Sequence, residues 1–346
     1  MGTASDLLRL GRAQTAAVEG AGFPLAAWIG GAPLWTLPVF ALLGVIAHLS
    51  GFGENSLTDL EFDRKDPSKA DHPVVAGRIS VRGGWTFVLV MQAMAIVVLA
   101  LLTWSSGHWV AWVPFIGYIG LGHAYNLVGK KWKPGAVLEI SGAFALAFLA
   151  MAMVWTGRFD NTITAVAVYA FLFTGFQIAI AGELKELGQP NERNLLRNLG
   201  TRVTPEISPL VSRESIRPEA LLPSLVVSEQ VWAFAFILSA AKAIAIGTVG
   251  WMVLGPEWGL IIGAVSGGFF VAYTVALLRP GPYDRPRLLR IMGGGEAASH
   301  VLLVLALAPT LWPWLLVAFI VAPAVWFISM NRLLWNTSGS AWAPGV

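Results

Sequence analysis

Apolar residues come in long blocks, and polar residues gather between them. The runs at 33–48, 85–104, 109–125, 136–155, 163–181, 231–254 and 260–278 approach or exceed the ~20 residues that cross a bilayer. Each predicts a membrane-spanning helix. A weaker first span covers 12–30, carrying Glu19 and interrupted by Pro24. A long apolar stretch, 301–328, closes the series, and Pro309, Pro313 and Pro323 are placed to break it into two pieces. The count is nine spans, or ten if that stretch is a hairpin.

Charge tests this layout. The connection after the second span holds Arg64, Lys65, Lys69, Arg78 and Arg82, and the one after the fourth holds Lys130, Lys131 and Lys133. After the sixth come Lys185, Arg193, Arg197, Arg202, Arg213 and Arg217, and after the eighth Arg279, Arg285, Arg287 and Arg290. The intervening connections carry almost none, Arg158 excepted. Such alternation is the positive-inside pattern, so the even-numbered connections and the N-terminus are expected in the cytoplasm. Composition agrees: 56% of residues are hydrophobic and 12% charged. The expected class is an integral, multi-pass membrane protein, all-α, a bundle of about nine helices forming one domain over 1–346. No short cleavable leader is expected. The absence of cysteine excludes disulfides, thiolate metal sites and cysteine nucleophiles. The net charge of +3 is explained by loop topology and indicates no nucleic-acid partner.

The densest charge lies in the connections at 55–84 and 183–226. Asn55, Asp59 and Asp63 stand four residues apart, so on a helix they line one face. An amide and two carboxylates stacked in this way suit a hard divalent cation. Glu183 and Glu186 share a face in the second connection, with Lys185, Arg193 and Arg197 beside them. Acids to hold metal and bases to hold phosphate oxygens, at one membrane mouth, suit an anion bound through bridging metal ions.

These residues carry a resemblance. Asn55-x3-Asp59-x3-Asp63, followed by His72-Pro73-x3-Gly77-Arg78, resembles the first signature of the UbiA superfamily of intramembrane prenyltransferases. Tyr125-x4-Lys130-Lys131 is similar to that family's Tyr-and-Lys segment, and Glu183-x2-Glu186 with Asn194-Leu-x3-Leu199-Gly200 is similar to its second acidic signature. The resemblance implies a helical bundle around a central cavity with a cytoplasmic cap, two magnesium ions gripping an isoprenyl diphosphate donor, and prenyl transfer to a small-molecule or lipid acceptor among the membrane lipids. Residue by residue it implies Asn55, Asp59, Asp63, Glu183 and Glu186 as metal ligands. Tyr125 falls near the reacting carbon, and Lys130, Lys131, Arg78, Lys69 and His72 fall near the diphosphate. Three departures mark a divergent branch: Glu for the usual Asp in the second signature, His72 for the usual Arg, and Ser56 for a common Asp. Lys69 is placed to compensate for His72. Alternatives are a terpene cyclase of the same superfamily, phosphoribosyl transfer to a polyprenyl phosphate (Asp66-Pro67-Ser68-Lys69 resembles that branch) and, from another class, a transporter.

Among polar residues inside the apolar runs, Glu19 and Glu139 are expected to line the cavity. Glu229 and Glu296 are expected at helix ends, and Lys242 is expected to pair with an acid or snorkel. Tryptophans such as Trp85, Trp104, Trp109, Trp112, Trp251, Trp312 and Trp314 read as interfacial anchors. The proline-rich 204–224 segment is expected to be a loop over the site.

Overall fold

The computed structural model describes residues 3–66, 69–129, 132–188, 194–204 and 223–335. Its helices are α1 (Ala4–Leu10), α2 (Ala17–Ile29), α3 (Leu37–Thr58), α4 (Leu60–Asp63), α5 (Val81–Ser106), α6 (Trp112–Leu127), α7 (Lys133–Thr156), α8 (Asn161–Phe176), α9 (Glu183–Glu186), α10 (Leu195–Asn198), α11 (Glu229–Leu254), α12 (Pro256–Leu278), α13 (Arg285–Ala306) and α14 (Pro313–Trp335). Local chemistry sets the boundaries. Ser80 Oγ accepts from the Gly83 amide to start α5, and Gly107, at φ 79°, ends it. Asp160 and Ser228 cap α8 and α11 in the same way. Between α8 and α9 the chain runs through a π-helical turn at Gln177–Gly182.

Among the described residues eight helices are long and apolar enough to cross a membrane: α3, α5, α7, α8 with its continuation through α9, α11, α12, α13 and α14. The shorter α2 and α6 pack within the same bundle. Contacts run from α2 to α3, α3 to α6, α6 to α7, α7 to α8, α8 to α11, α11 to α12, α12 to α13, α13 to α14, and back from α14 to α2, which closes the ring. Side chains such as Leu89, Leu101, Leu260, Val265 and Val317 face outward and remain exposed, as a lipid-facing surface requires. Close helix approach depends on small residues: a Cβ on Gly44 would strike the Glu19 carbonyl, and one on Gly30 the Ala152 carbonyl.

The two ends of the bundle differ. At one, Trp28 packs edge-on to Trp312 and Trp35 to Trp155, and Trp28 Nε1 donates to the Thr310 carbonyl at 2.8 Å. At the other lie the N-terminus, the end of α14 and both acidic motifs. There Arg9 stacks over Trp335 at 4.8 Å, and Trp326 Nε1 donates to the Ala13 carbonyl. On this motif face sits a small antiparallel sheet of β1 (Arg202–Thr204), β2 (Ser224–Val226) and β3 (Gly281–Pro282), in the order β1-β2-β3 with Arg202 opposite Val226 and Ser224 opposite Pro282. Tyr283, just past β3, hydrogen-bonds its hydroxyl to the Lys185 carbonyl at 2.8 Å, which ties the sheet to α9.

One open alternative is decided and two expectations change. The final apolar stretch is a hairpin: α13 begins at Arg285, the chain turns through Leu307–Trp312 at Pro309, and α14 starts on Pro313. Pro309 sits in the turn and Pro313 in the first position of α14, where a proline is tolerated, while Pro323 stays inside α14 without ending it. Glu296 is consequently not at a helix end; it lies in the middle of α13 and faces inward. Lys242 neither pairs nor snorkels. It is fully buried with Nζ 3.7 Å from the Phe176 ring and 4.2 Å from the Phe270 ring, so aromatic faces balance its amine. Lys130, Lys131 and Arg193, and most of the 204–224 segment, lie outside the described residues.

Candidate active site

The first acidic motif grows out of a helix stripe. His48, Phe52, Asn55 and Asp59 are spaced i, i+4, i+7 and i+11, so α3 presents all four on one side. Asp59 terminates α3, its amide bonded to the Asn55 carbonyl at 3.0 Å, and α4 carries Asp63 one turn further. Burial raises the Asp63 carboxyl above its usual range. Lys69 and Arg12 pull the other way, while Asp59 and Asp66 reinforce the rise. From Asp63 the chain turns back through tight steps: the Lys69 amide bonds to the Asp66 carbonyl and the His72 amide to the Lys69 carbonyl. These steps fold Lys69 and His72 inward, where both are buried.

The second motif sits opposite. Glu183 is buried; one of its oxygens accepts from the Leu195 amide and its carbonyl accepts from Asn194 Nδ2 at 2.6 Å. Glu183 therefore anchors the 194–195 segment, and the charge of Glu186 acts on Tyr125 and Lys185. The Tyr125 phenol links the halves: the charges acting on it are, in descending order, Asp59, Glu186, Arg12 and Glu183. Lys185 lies among Glu186, Arg12, Arg285 and Glu296. Tyr125, Lys185 and Glu296 keep some accessible surface, as do Asn55, Asp59 and Asp63.

The bases divide. Burial, then the positive charge of Arg12, pulls the Lys69 amine down to about 7. His72 is pulled to about 3 by burial and by Arg12, Lys69 and Arg78, so it is a neutral imidazole at physiological pH, with Nε2 buried and unbonded. Arg78 is spent on structure. Its Nε donates to Asp6 at 2.9 Å, Nη1 to Asp71 at 2.8 Å and Nη2 to the Asp71 carbonyl at 2.7 Å. Arg197 donates Nη2 to the Leu187 carbonyl. Glu19 bonds His48 at 2.7 Å, and Glu139 packs against Gly129.

Sequence reasoning missed two cations as site residues: Arg12, at the start of the first span, and Arg285, counted only as a loop charge. It also missed two histidine–carboxylate pairs, His48 with Glu19 and His123 with Glu54 at 2.8 Å. The stripe spacing from His48 to Asp59 was the signal available for the first.

Among the described residues no three His, Asp or Glu side chains converge closely enough to hold a metal on their own. The donors at the mouth (Asn55, Asp59, Asp63, Glu183, Glu186) are all oxygens, and His48 and His123 are engaged elsewhere. That set fits magnesium, which binds through one or two carboxylates and completes its shell with substrate phosphate and water.

Comparison with known proteins agrees with this geometry. Residues 20–188, which include both acidic motifs, match the UbiA prenyltransferase family. No curated protein matches the chain by sequence. Among solved structures, the chain resembles a UbiA homolog from Archaeoglobus fulgidus bound to GPP and Mg2+, at TM-score 0.60 and 18% identity, covering 88% of this chain and 98% of that one. A UbiA homolog from Archaeoglobus fulgidus bound to Cd2+ matches at TM-score 0.55, 16% identity and 95% of this chain against 99% of that one. A digeranylgeranylglyceryl phosphate synthase matches at 0.56 and 16%, over 91% and 98%.

Proposed function

Since the chain belongs to the UbiA superfamily of intramembrane prenyltransferases, we propose that it ionises an isoprenyl diphosphate with the help of magnesium and transfers the prenyl group to a small-molecule or lipid acceptor. The observation that carries this is the convergence of Asp59, Glu183, Glu186 and Arg12 on the Tyr125 phenol. Two acid sets and a guanidinium around one interior point suit a diphosphate.

Asn55, Asp59, Asp63 and Glu186 would hold the metal, with Glu183 in support. When bound, magnesium neutralises charge that builds on the departing diphosphate. In the reaction the allylic C–O bond breaks and its electron pair leaves with the diphosphate. A nucleophilic atom of the acceptor bonds to the allylic carbon, and the proton displaced from that atom passes to water or to the diphosphate. Fixed charges aimed at the leaving group are the largest catalytic contribution of this kind of site. Tyr125 borders the carbon that becomes cationic, and the apolar interior keeps water from capturing it. The positive-inside pattern supports a cytoplasmic mouth. At the A. fulgidus homolog's site GPP is an isoprenyl diphosphate, which supports the donor class here.

The test is incubation of purified protein and magnesium with geranyl, farnesyl and geranylgeranyl diphosphates, with and without aromatic and lipid acceptors, analysed by mass spectrometry. Acceptor-dependent release of diphosphate is expected. A cyclic hydrocarbon without acceptor would assign a cyclase instead, and no turnover of any diphosphate would overturn the reading.

A further inference from the structure

Arg12 is the only residue other than glycine with positive φ among the described residues, at φ 49° and ψ 49°. A left-handed backbone with a Cβ costs roughly 1–2 kcal/mol and persists only where its surroundings enforce it. The enforcement is visible. The Arg12 carbonyl accepts from the Thr15 amide and from Thr15 Oγ1, both at 2.9 Å, and lies 3.3 Å from His48 Nε2. His48 Nε2 is also 3.0 Å from Thr15 Oγ1, and His48 Nδ1 is held by Glu19 Oε2 at 2.7 Å. The His48 ring stacks on Phe52 at 4.2 Å, and the Arg12 guanidinium rests over the same ring at 5.3 Å. Phe52 lies one turn before Asn55 on the α3 stripe. Glu19, His48 and Phe52 therefore act as a bracket that points Arg12 at the acidic motif.

The guanidinium so placed is unspent. Among the described residues no carboxylate pairs with it, and its Nε is buried without a hydrogen-bond partner. The side chain is half-buried, and the buried Nε is a donor left unsatisfied, which a ligand oxygen at the mouth would complete. Its field reaches Asp63, Lys69, His72, Tyr125 and Lys185, the residues that ring the mouth. Arg78, the arginine of the first signature itself, has its fork filled by Asp6 and Asp71.

We propose that Arg12 is the guanidinium that grips the donor's diphosphate, taking the place left vacant by His72, and that Glu19 and His48 are its positioning residues. A planar fork binds phosphate oxygens in two places at once and stays charged at any working pH, which neither a buried lysine nor a neutral histidine does. The assignment rests on the diphosphate reading above.

Arg12→Gly tests it, because glycine accepts this backbone without strain and the variant keeps its fold. Magnesium pyrophosphate is expected to raise the thermal midpoint of the wild type and not of Arg12→Gly. The KM for an isoprenyl diphosphate is expected to rise about 10- to 100-fold, and added guanidinium ion should restore part of the lost activity. Arg12→Lys should recover less than half of the pyrophosphate response. His48→Asn should raise KM with smaller change in kcat, since it misplaces the guanidinium without removing it. A wild type that neither binds pyrophosphate nor turns over any diphosphate refutes the functional reading. A wild type that does both, with Arg12→Gly unchanged in pyrophosphate shift and KM, refutes this inference alone.

Discussion

Arg78 Nε donates to Asp6 Oδ1 at 2.9 Å across 72 positions of sequence, fastening the loop behind the first acidic motif to the N-terminal helix. Asp6 is saturated by the arrangement, since its other oxygen accepts from the Thr3 amide and hydroxyl as part of a capping box. Arg78→Ala is expected to lower stability by about 1–2 kcal/mol, the range for a partly exposed charged hydrogen bond. Asp6→Asn should cost a similar amount, and the double variant no more than slightly above the larger single loss. Thermal unfolding in detergent reads all three; additive losses would show that the two side chains act independently.

Asp59→Ala and Asp63→Ala should each abolish measurable turnover, a loss of about a hundredfold or more, while the protein still inserts and elutes as a folded particle. Mass spectrometry of the diphosphate products gives the first quantity and size-exclusion chromatography the second.

His72 makes acid stability pH-dependent. Its folded value of about 3 lies below its ordinary 6.5, because burial and the charges of Arg12, Lys69 and Arg78 oppose a proton. The unfolded chain takes up that proton first as pH falls. The stability contributed by the neutral imidazole is therefore whole above pH 6.5 and drains away between 6.5 and 3. His72→Gln should flatten this part of the stability profile. Denaturant midpoints measured at pH 7, 5.5 and 4.5 decide it; parallel profiles for the two proteins would refute it.

Gly44→Ala drives a methyl group into the Glu19 carbonyl, with both partners on backbone that cannot swing away. The expected result is a loss of about 1–3 kcal/mol. Because Glu19 holds His48, activity measured at saturating diphosphate should fall less than activity at low diphosphate. The ratio of the two rates is the check.

Lys242 is covered by Phe176, Phe270 and Tyr273 and has no hydrogen-bonding partner. Methionine fills nearly the same volume without an amine to desolvate, so Lys242→Met should raise the unfolding midpoint. A lower midpoint would mean that the cation–π contacts outweigh the desolvation they offset.

The spans, their alternation and both acidic motifs follow from one-dimensional facts. Bilayer crossing demands long apolar runs, loop charges record sidedness, and Asn55, Asp59 and Asp63 share a face because a helix repeats every 3.6 residues. Their identity as oxygen donors is equally local. What sequence could not decide was how each charge is spent. Arg12 and Arg78 look alike in a row of letters, yet Arg78 meets Asp6 and Asp71 while Arg12 meets an aromatic ring and points at the mouth. Glu296 lies mid-helix because α13 begins at Arg285, well before the apolar run, and Lys242 is buried because α8 and α12 bring Phe176, Phe270 and Tyr273 over it, positions that a hydropathy scan assigns to an edge or to a snorkelling stem. Neutralisation of His72 likewise depends on burial and on three cations that are distant in sequence or across a turn. Local periodicity sets which residues can stand together on one helix. Which of them meet across helices, and which are left free for a ligand, is decided only when the helices pack and the long-range partners compete for each charge.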